Sequence, residues 1–194
     1  MKIVIIKYNA GNVYSVSSAL KRLGYDAVIT SNFTEIEAAD KIIFPGVGEA
    51  SSAMEYLKQN KLDKLMPELK QPFLGVCLGL QLLCRHSEEN DTECLGIFDQ
   101  EVKLFPPAEK VPHMGWNSVK TSNNKLFTGL SGNSYVYFVH SYFAELSEHT
   151  IAETDYIVPF SAALNKDNFY AVQFHPEKSG KVGEQILKNF IELI

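Results

Sequence analysis

Residues 2–8, KIVIIKY, form a short β-branched run bounded by the turn-forming residues Asn9, Ala10, Gly11 and Asn12, and so predict a buried parallel strand. A helix follows from the spacing of Val13, Val16, Ala19, Leu20 and Leu23, with Asn12 at its N-cap and Gly24 as its stop. The unit then recurs: a strand over 27–29, a short helix capped by Thr34, and a strand over 41–44 that ends at Pro45-Gly46-Val47-Gly48. Helical segments are expected near 50–59 and 61–69, a strand over 73–76 and a helix over 78–86. Strands alternating with helices imply right-handed crossovers and an α/β fold, with a central, mostly parallel sheet flanked by helices.

From about residue 95 to 170 the pattern changes to short alternating strands between Pro, Gly and Asn turns, as in SYVYFVHSYF. No Ser-, Gly- or Pro-rich linker separates this region, so it reads as an antiparallel extension of the same sheet within one domain, 1–194. The last helix is expected over 181–193, with Val182, Ile186, Leu187, Phe190 and Leu193 on its apolar face.

Composition narrows the function classes. Hydrophobic residues make up 45% and charged residues 21% of the 194, as in a soluble globular protein. The apolar runs are far shorter than the roughly 20 residues of a membrane-spanning helix, and Met1-Lys2 leads directly into a strand without a leader pattern. The cytoplasm is the expected location. A net charge of -5 without a basic block argues against nucleic acid as a partner and leaves small molecules or another protein. The three cysteines, Cys77, Cys84 and Cys94, match no zinc spacing, and neither a disulfide framework, a metal nor an organic cofactor is expected.

Candidate chemistry centres on Gly75-Val76-Cys77-Leu78-Gly79, which follows a predicted strand and begins a predicted helix. A nucleophile on such a turn is lifted from the sheet top, and the Leu78 amide points to where an oxyanion would develop. An isolated G-x-C-x-G reads first as a packed core cysteine, with its glycines serving strand–helix packing, and Cys84 and Cys94 read as core. A thiol nucleophile needs a base, and the base an orienting group. His175 ends an apolar strand in YAVQFHPEKS with Glu177 two residues on, whereas His86, His113, His140 and His149 read as loop or structural histidines. Taken alone, His175 and Glu177 could be a strand-end imidazole and a solvated carboxylate. Likewise, the Pro45–Gly48 stretch could be an ordinary turn or a source of backbone N–H donors.

Together, Pro45-Gly-Val-Gly48, Gly75-Val-Cys-Leu-Gly-Leu-Gln81 and Phe174-His-Pro-Glu177 resemble the class I, triad-type glutamine amidotransferases. The resemblance implies a Cys77-His175-Glu177 triad acting on L-glutamine, with the amides of Leu78 and Val47 as the oxyanion hole. It further implies substrate contacts from Gly46, Gly48, Gln81, Glu89, Ser141 and Tyr142. Within the class, YNAGNVYSV, VPHMGWN, YFVHSY and FHPEKSGKVG resemble the histidine-biosynthetic branch. That branch implies a heterodimer with a (β/α)8-barrel cyclase that receives ammonia, docked through Asn12, Trp116, Asn117, Tyr137 and Lys178. Leu80 stands where anthranilate-type glutaminases usually carry His. The alternatives are a glutaminase of that other type, or a non-catalytic flavodoxin-like module that binds an anion at 45–48.

Overall fold

The computed structural model describes residues 1–9 and 12–194. Ala10 and Gly11, part of the predicted turn at 9–12, lie outside the described residues. Strand β1 (Ile3–Ile6) is followed by helix α1 (Val13–Arg22), β2 (Ala27–Thr30), α2 (Phe33–Glu37) and β3 (Lys41–Gly46). Helices α3 (Ala50–Gln59) and α4 (Leu62–Leu65) lead to β4 (Phe73–Cys77) and α5 (Leu78–Leu83). Two-residue strands β5 (His86–Ser87) and β6 (Thr92–Glu93) come next, then β7 (Glu101–Leu104), β8 (His113–Thr121), β9 (Asn133–His140) and β10 (Tyr142–Ala144). The chain finishes with β11 (Thr150–Tyr156), β12 (Val158–Lys166), β13 (Phe169–Val172) and α6 (Gly180–Leu193).

Nine strands form one sheet in the order β2-β1-β3-β4-β13-β12-β11-β8-β9. The first five are mutually parallel and the rest antiparallel, as the change of pattern near residue 95 predicts. Ile3 to Ile6 are all buried because the faces of β1 pack into two different cores: Val4 and Ile6 into one, Ile3 and Ile5 into the other. The parallel register sets Gly46 opposite Cys77, and Val76 opposite Val172. The C-terminal ends of β3, β4 and β13 therefore lie side by side, where open α/β sheets bind ligands.

Several local expectations change. Asn32, not Thr34, caps α2, its Oδ1 accepting from Glu35 N at 3.2 Å. The expected helix over 61–69 is one α turn followed by a 3-10 turn at Met66–Glu68, since Pro67 has no N–H to continue the α ladder. Strand β3 continues through Pro45 to Gly46; beyond Ile43 only β4 pairs with it, so the missing donor is tolerated. Helix α5 ends at Leu83 rather than 86, its last carbonyl accepting instead from Ile97 N and Phe98 N. The extension is not wholly one sheet either: β10-β7-β5-β6 form a separate four-stranded sheet. On α6, Leu193 is 43% exposed, and Ile191 and Asn189 take the buried positions instead.

Candidate active site

The turn at Cys77 is built by close packing. Cys77 has φ 56° and ψ -110°, a conformation rarely adopted by a residue with a side chain and costing on the order of 1–3 kcal/mol. Helix α5 lies so near β3 that a Cβ on Gly79 would overlap the Phe44 carbonyl oxygen, while one on Gly75 would come within 2.7 Å of Leu83 Cδ1. The two glycines of G-x-C-x-G thus let the helix sit against the sheet, which holds the cysteine in its strained conformation.

His175 and Glu177 are almost wholly buried, each side chain 1% exposed, with His175 Nδ1 2.8 Å from Glu177 Oε1. The same carboxylate oxygen accepts from Asn12 Nδ2 at 3.0 Å. Asn12 is therefore at the predicted cap position of α1, but its side chain orients Glu177 instead of capping the helix. The His175 backbone is fixed to β9: its N–H donates to Tyr137 O at 2.9 Å, and Ser179 Oγ donates to His175 O at 2.6 Å while accepting from Tyr137 N at 3.0 Å. Burial opposes protonation of His175, but its interactions with the Cys77 thiolate and with Glu177 outweigh burial and hold the imidazole up to about 10. The Nε2 atom has no hydrogen bond of normal geometry among the described residues, leaving it available for proton exchange with sulfur or a leaving group.

A cavity of about 310 Å³ opens over Cys77, within the size range of about 300–1,000 Å³ typical of small-molecule sites. Of the residues singled out in the sequence, Val47, Gly48, Leu78, Gln81, Glu89, Ser141 and Tyr142 line it together with Cys77. Gly46 lies outside the lining, in strand register with Cys77. Glu89 Oε2 accepts from Ala50 N at 2.7 Å, at the start of α3. Burial raises the Glu89 carboxyl and this amide contact partly offsets it.

The positions singled out for docking separate by environment. Trp116 is 56% exposed and packs edge-on against Tyr137 at 6.0 Å. Lys178 is exposed, whereas Asn117 is half-buried and donates to Asp155 O at 3.0 Å. Strand alternation puts Met114, Trp116, Tyr135 and Tyr137 on one face of β8 and β9.

Pro112, Val139 and His140 also line the cavity, although the sequence pattern did not single them out for it. His140 belongs to a polar chain with one consistent arrangement of protons. Its Nδ1 donates to Tyr142 O at 2.7 Å, its Nε2 accepts from His113 Nδ1 at 3.0 Å, and His113 Nε2 accepts from Asn117 Nδ2 at 3.3 Å. Both rings are neutral, and burial holds His113 down to about 4 and His140 to about 3. Because the unfolded chain binds protons that these folded rings refuse, stability is full above about pH 6.5 and is lost as pH falls toward 4 and 3. Urea unfolding near pH 5 to 4 should therefore take up about one proton fewer in His140→Gln than in the parent chain. Equal proton uptake by the two would contradict a neutral His140.

The glutamine amidotransferase class-I family model matches residues 4–193, and the chain belongs to that family of enzymes. The imidazole glycerol phosphate synthase subunit HisH of Bacteroides fragilis (strain YCH46) is 61% identical to it, the match covering 100% of both chains. The subunit of the same name from Escherichia coli (strain K12) is 45% identical, again over 100% of each. The fold is similar to a chain of PurLQS from Thermotoga maritima, with TM-score 0.76 at 14% identity, covering 99% of this chain and 98% of that one.

Proposed function

We propose that this chain is the glutaminase subunit of an imidazole glycerol phosphate synthase, hydrolysing L-glutamine to glutamate and ammonia for a cyclase subunit in histidine biosynthesis. The observation that carries the chemistry is Cys77, held on a strained turn in the wall of a cavity and interacting with the buried His175–Glu177 pair. Full-length identity of 61% to a HisH subunit supports the choice of synthase.

In this reading the Cys77 thiol proton has already passed to His175, and the Cys77 thiolate attacks the glutamine carboxamide. The N–H groups of Leu78 and Val47 stabilise the tetrahedral oxyanion, and His175 then gives its proton to the departing ammonia. Water, deprotonated by His175, releases glutamate from the thioester and restores Cys77. Glu177 holds the ring, and Asn12 holds Glu177. Glu89 receives the substrate ammonium together with Gln81. Gly48, Ser141 and Tyr142 complete the substrate site through backbone groups, without Gly46, which lies outside the cavity lining.

Ammonia released into water near neutral pH is protonated and no longer nucleophilic, so the reaction calls for a covered exit to a synthase partner. The partner is a (β/α)8-barrel cyclase, forming a heterodimer over the Trp116–Tyr137 face with Asn12, Asn117 and Lys178. The whole chain, 1–194, acts as one domain in the cytoplasm. No helix among the described residues is long and apolar enough to span a membrane.

Glutamine hydrolysis measured alone and with purified synthase components tests the assignment. The cyclase barrel, loaded with a ligand of its own site, is expected to stimulate hydrolysis between about 5- and 150-fold, as couplings of about 1–3 kcal/mol allow. Stimulation by an anthranilate-type synthase component, and none by the barrel, would overturn it.

A further inference from the structure

Gln173 is a polar residue in an apolar stretch, fully buried between Val172 and Phe174, with its backbone N–H bonded to Ala162 O at 2.8 Å. A primary amide this deep is costly unless its atoms find partners. Its Oε1 accepts from Gln81 Nε2 at 3.1 Å, and its Nε2 donates to Cys77 Sγ at 3.7 Å.

The direction of these bonds is fixed from one end. The Tyr142 carbonyl can only accept, so the atom Gln81 presents to it, at 2.9 Å, is the amide nitrogen. That same nitrogen faces Gln173, so Gln173 must turn its oxygen toward Gln81 and its N–H toward the sulfur. The His140 Nδ1 donor on the same carbonyl braces the arrangement.

We propose that Gln173 is a positioning residue for the nucleophile: through Gln81 and the Tyr142 carbonyl it presents an N–H donor to Cys77 Sγ that holds the sulfur and favours its thiolate. This rests on Cys77 being the nucleophile. When the thiol proton passes to His175 Nε2, the sulfur becomes a stronger acceptor, and the bond strengthens as the attacking species forms. In the thiol form the S–H has another outlet, Val139 O at 3.8 Å. The amide and the imidazolium would then stabilise the thiolate together. The other ionisable groups around this pair are Tyr8, Glu177, His140 and, at the cavity wall, Glu89.

The test is the pH profile of Cys77 alkylation by iodoacetamide, followed on the Cys77 peptide by mass spectrometry in the full chain without glutamine. Gln173→Met, which keeps the volume and removes the donor, should move the rising limb upward by about one pH unit. Gln173→Glu keeps an acceptor for Gln81 but sets a carboxylate beside the sulfur, and should move it further. With glutamine and the stimulating synthase subunit present, Gln173→Met should lower kcat about tenfold and change KM by less than about twofold, a split that general loosening of the pocket would not give. Circular dichroism establishes that each variant is folded; if Gln173→Met does not fold, Gln173→Glu decides alone. An unmoved alkylation profile in a folded variant overturns the proposal. Because the profile is read without glutamine, it stays separate from the glutaminase assignment, which fails if Cys77→Ala still hydrolyses glutamine.

Discussion

Cys77→Ala should abolish glutamine hydrolysis, with kcat falling on the order of 10⁴-fold or more, while glutamine still binds. The expectation follows from the division of labour in the site. Glu89, Gln81 and the backbone at Ser141 and Tyr142 lie along the cavity wall and do not depend on the sulfur for their positions. Alanine pays the same backbone strain as cysteine at φ 56°, so the turn has no new reason to relax. Glutamate release measures the first quantity and titration calorimetry the second. Full hydrolysis by the variant would remove Cys77 from the mechanism.

Gly79→Ala should lower stability by about 3 kcal/mol and the thermal midpoint by about 6–12 °C. The added carbon would meet the Phe44 carbonyl, a backbone atom in the middle of β3 that cannot rotate away. Relief requires α5 to move off the sheet, and α5 begins directly after Cys77, so activity should fall along with stability. Gly132→Ala is the matched control: nothing lies within 4 Å of its added carbon, and its stability should stay within about 0.5 kcal/mol of the parent. Equal thermal midpoints for the two variants would mean that the helix is not seated as described.

What could be read from the sequence follows the strength of its repeating signals. Buried parallel strands carry unbroken apolar runs, so IVII and FLGV stood out without any partner in view. The second sheet did not, because β5 and β6 are two residues each and too short for any alternation to register. Glycines marked the turns of β3 and β4 that converge on the cavity, since such backbone positions exclude other side chains. Gln173 and His140 gave no comparable sign. A single polar residue in a strand reads as outward-facing, and only the tertiary packing reveals that each points into a buried network.

The segment from His175 to Ser179 has a second consequence. Strand β9 ends the nine-stranded sheet, and its outer edge would otherwise offer unpaired backbone groups at Tyr137 to any passing strand. His175 N and Ser179 Oγ occupy those groups. The turn that carries the imidazole therefore also shields the sheet edge from intermolecular pairing, and loosening it threatens solubility as well as catalysis.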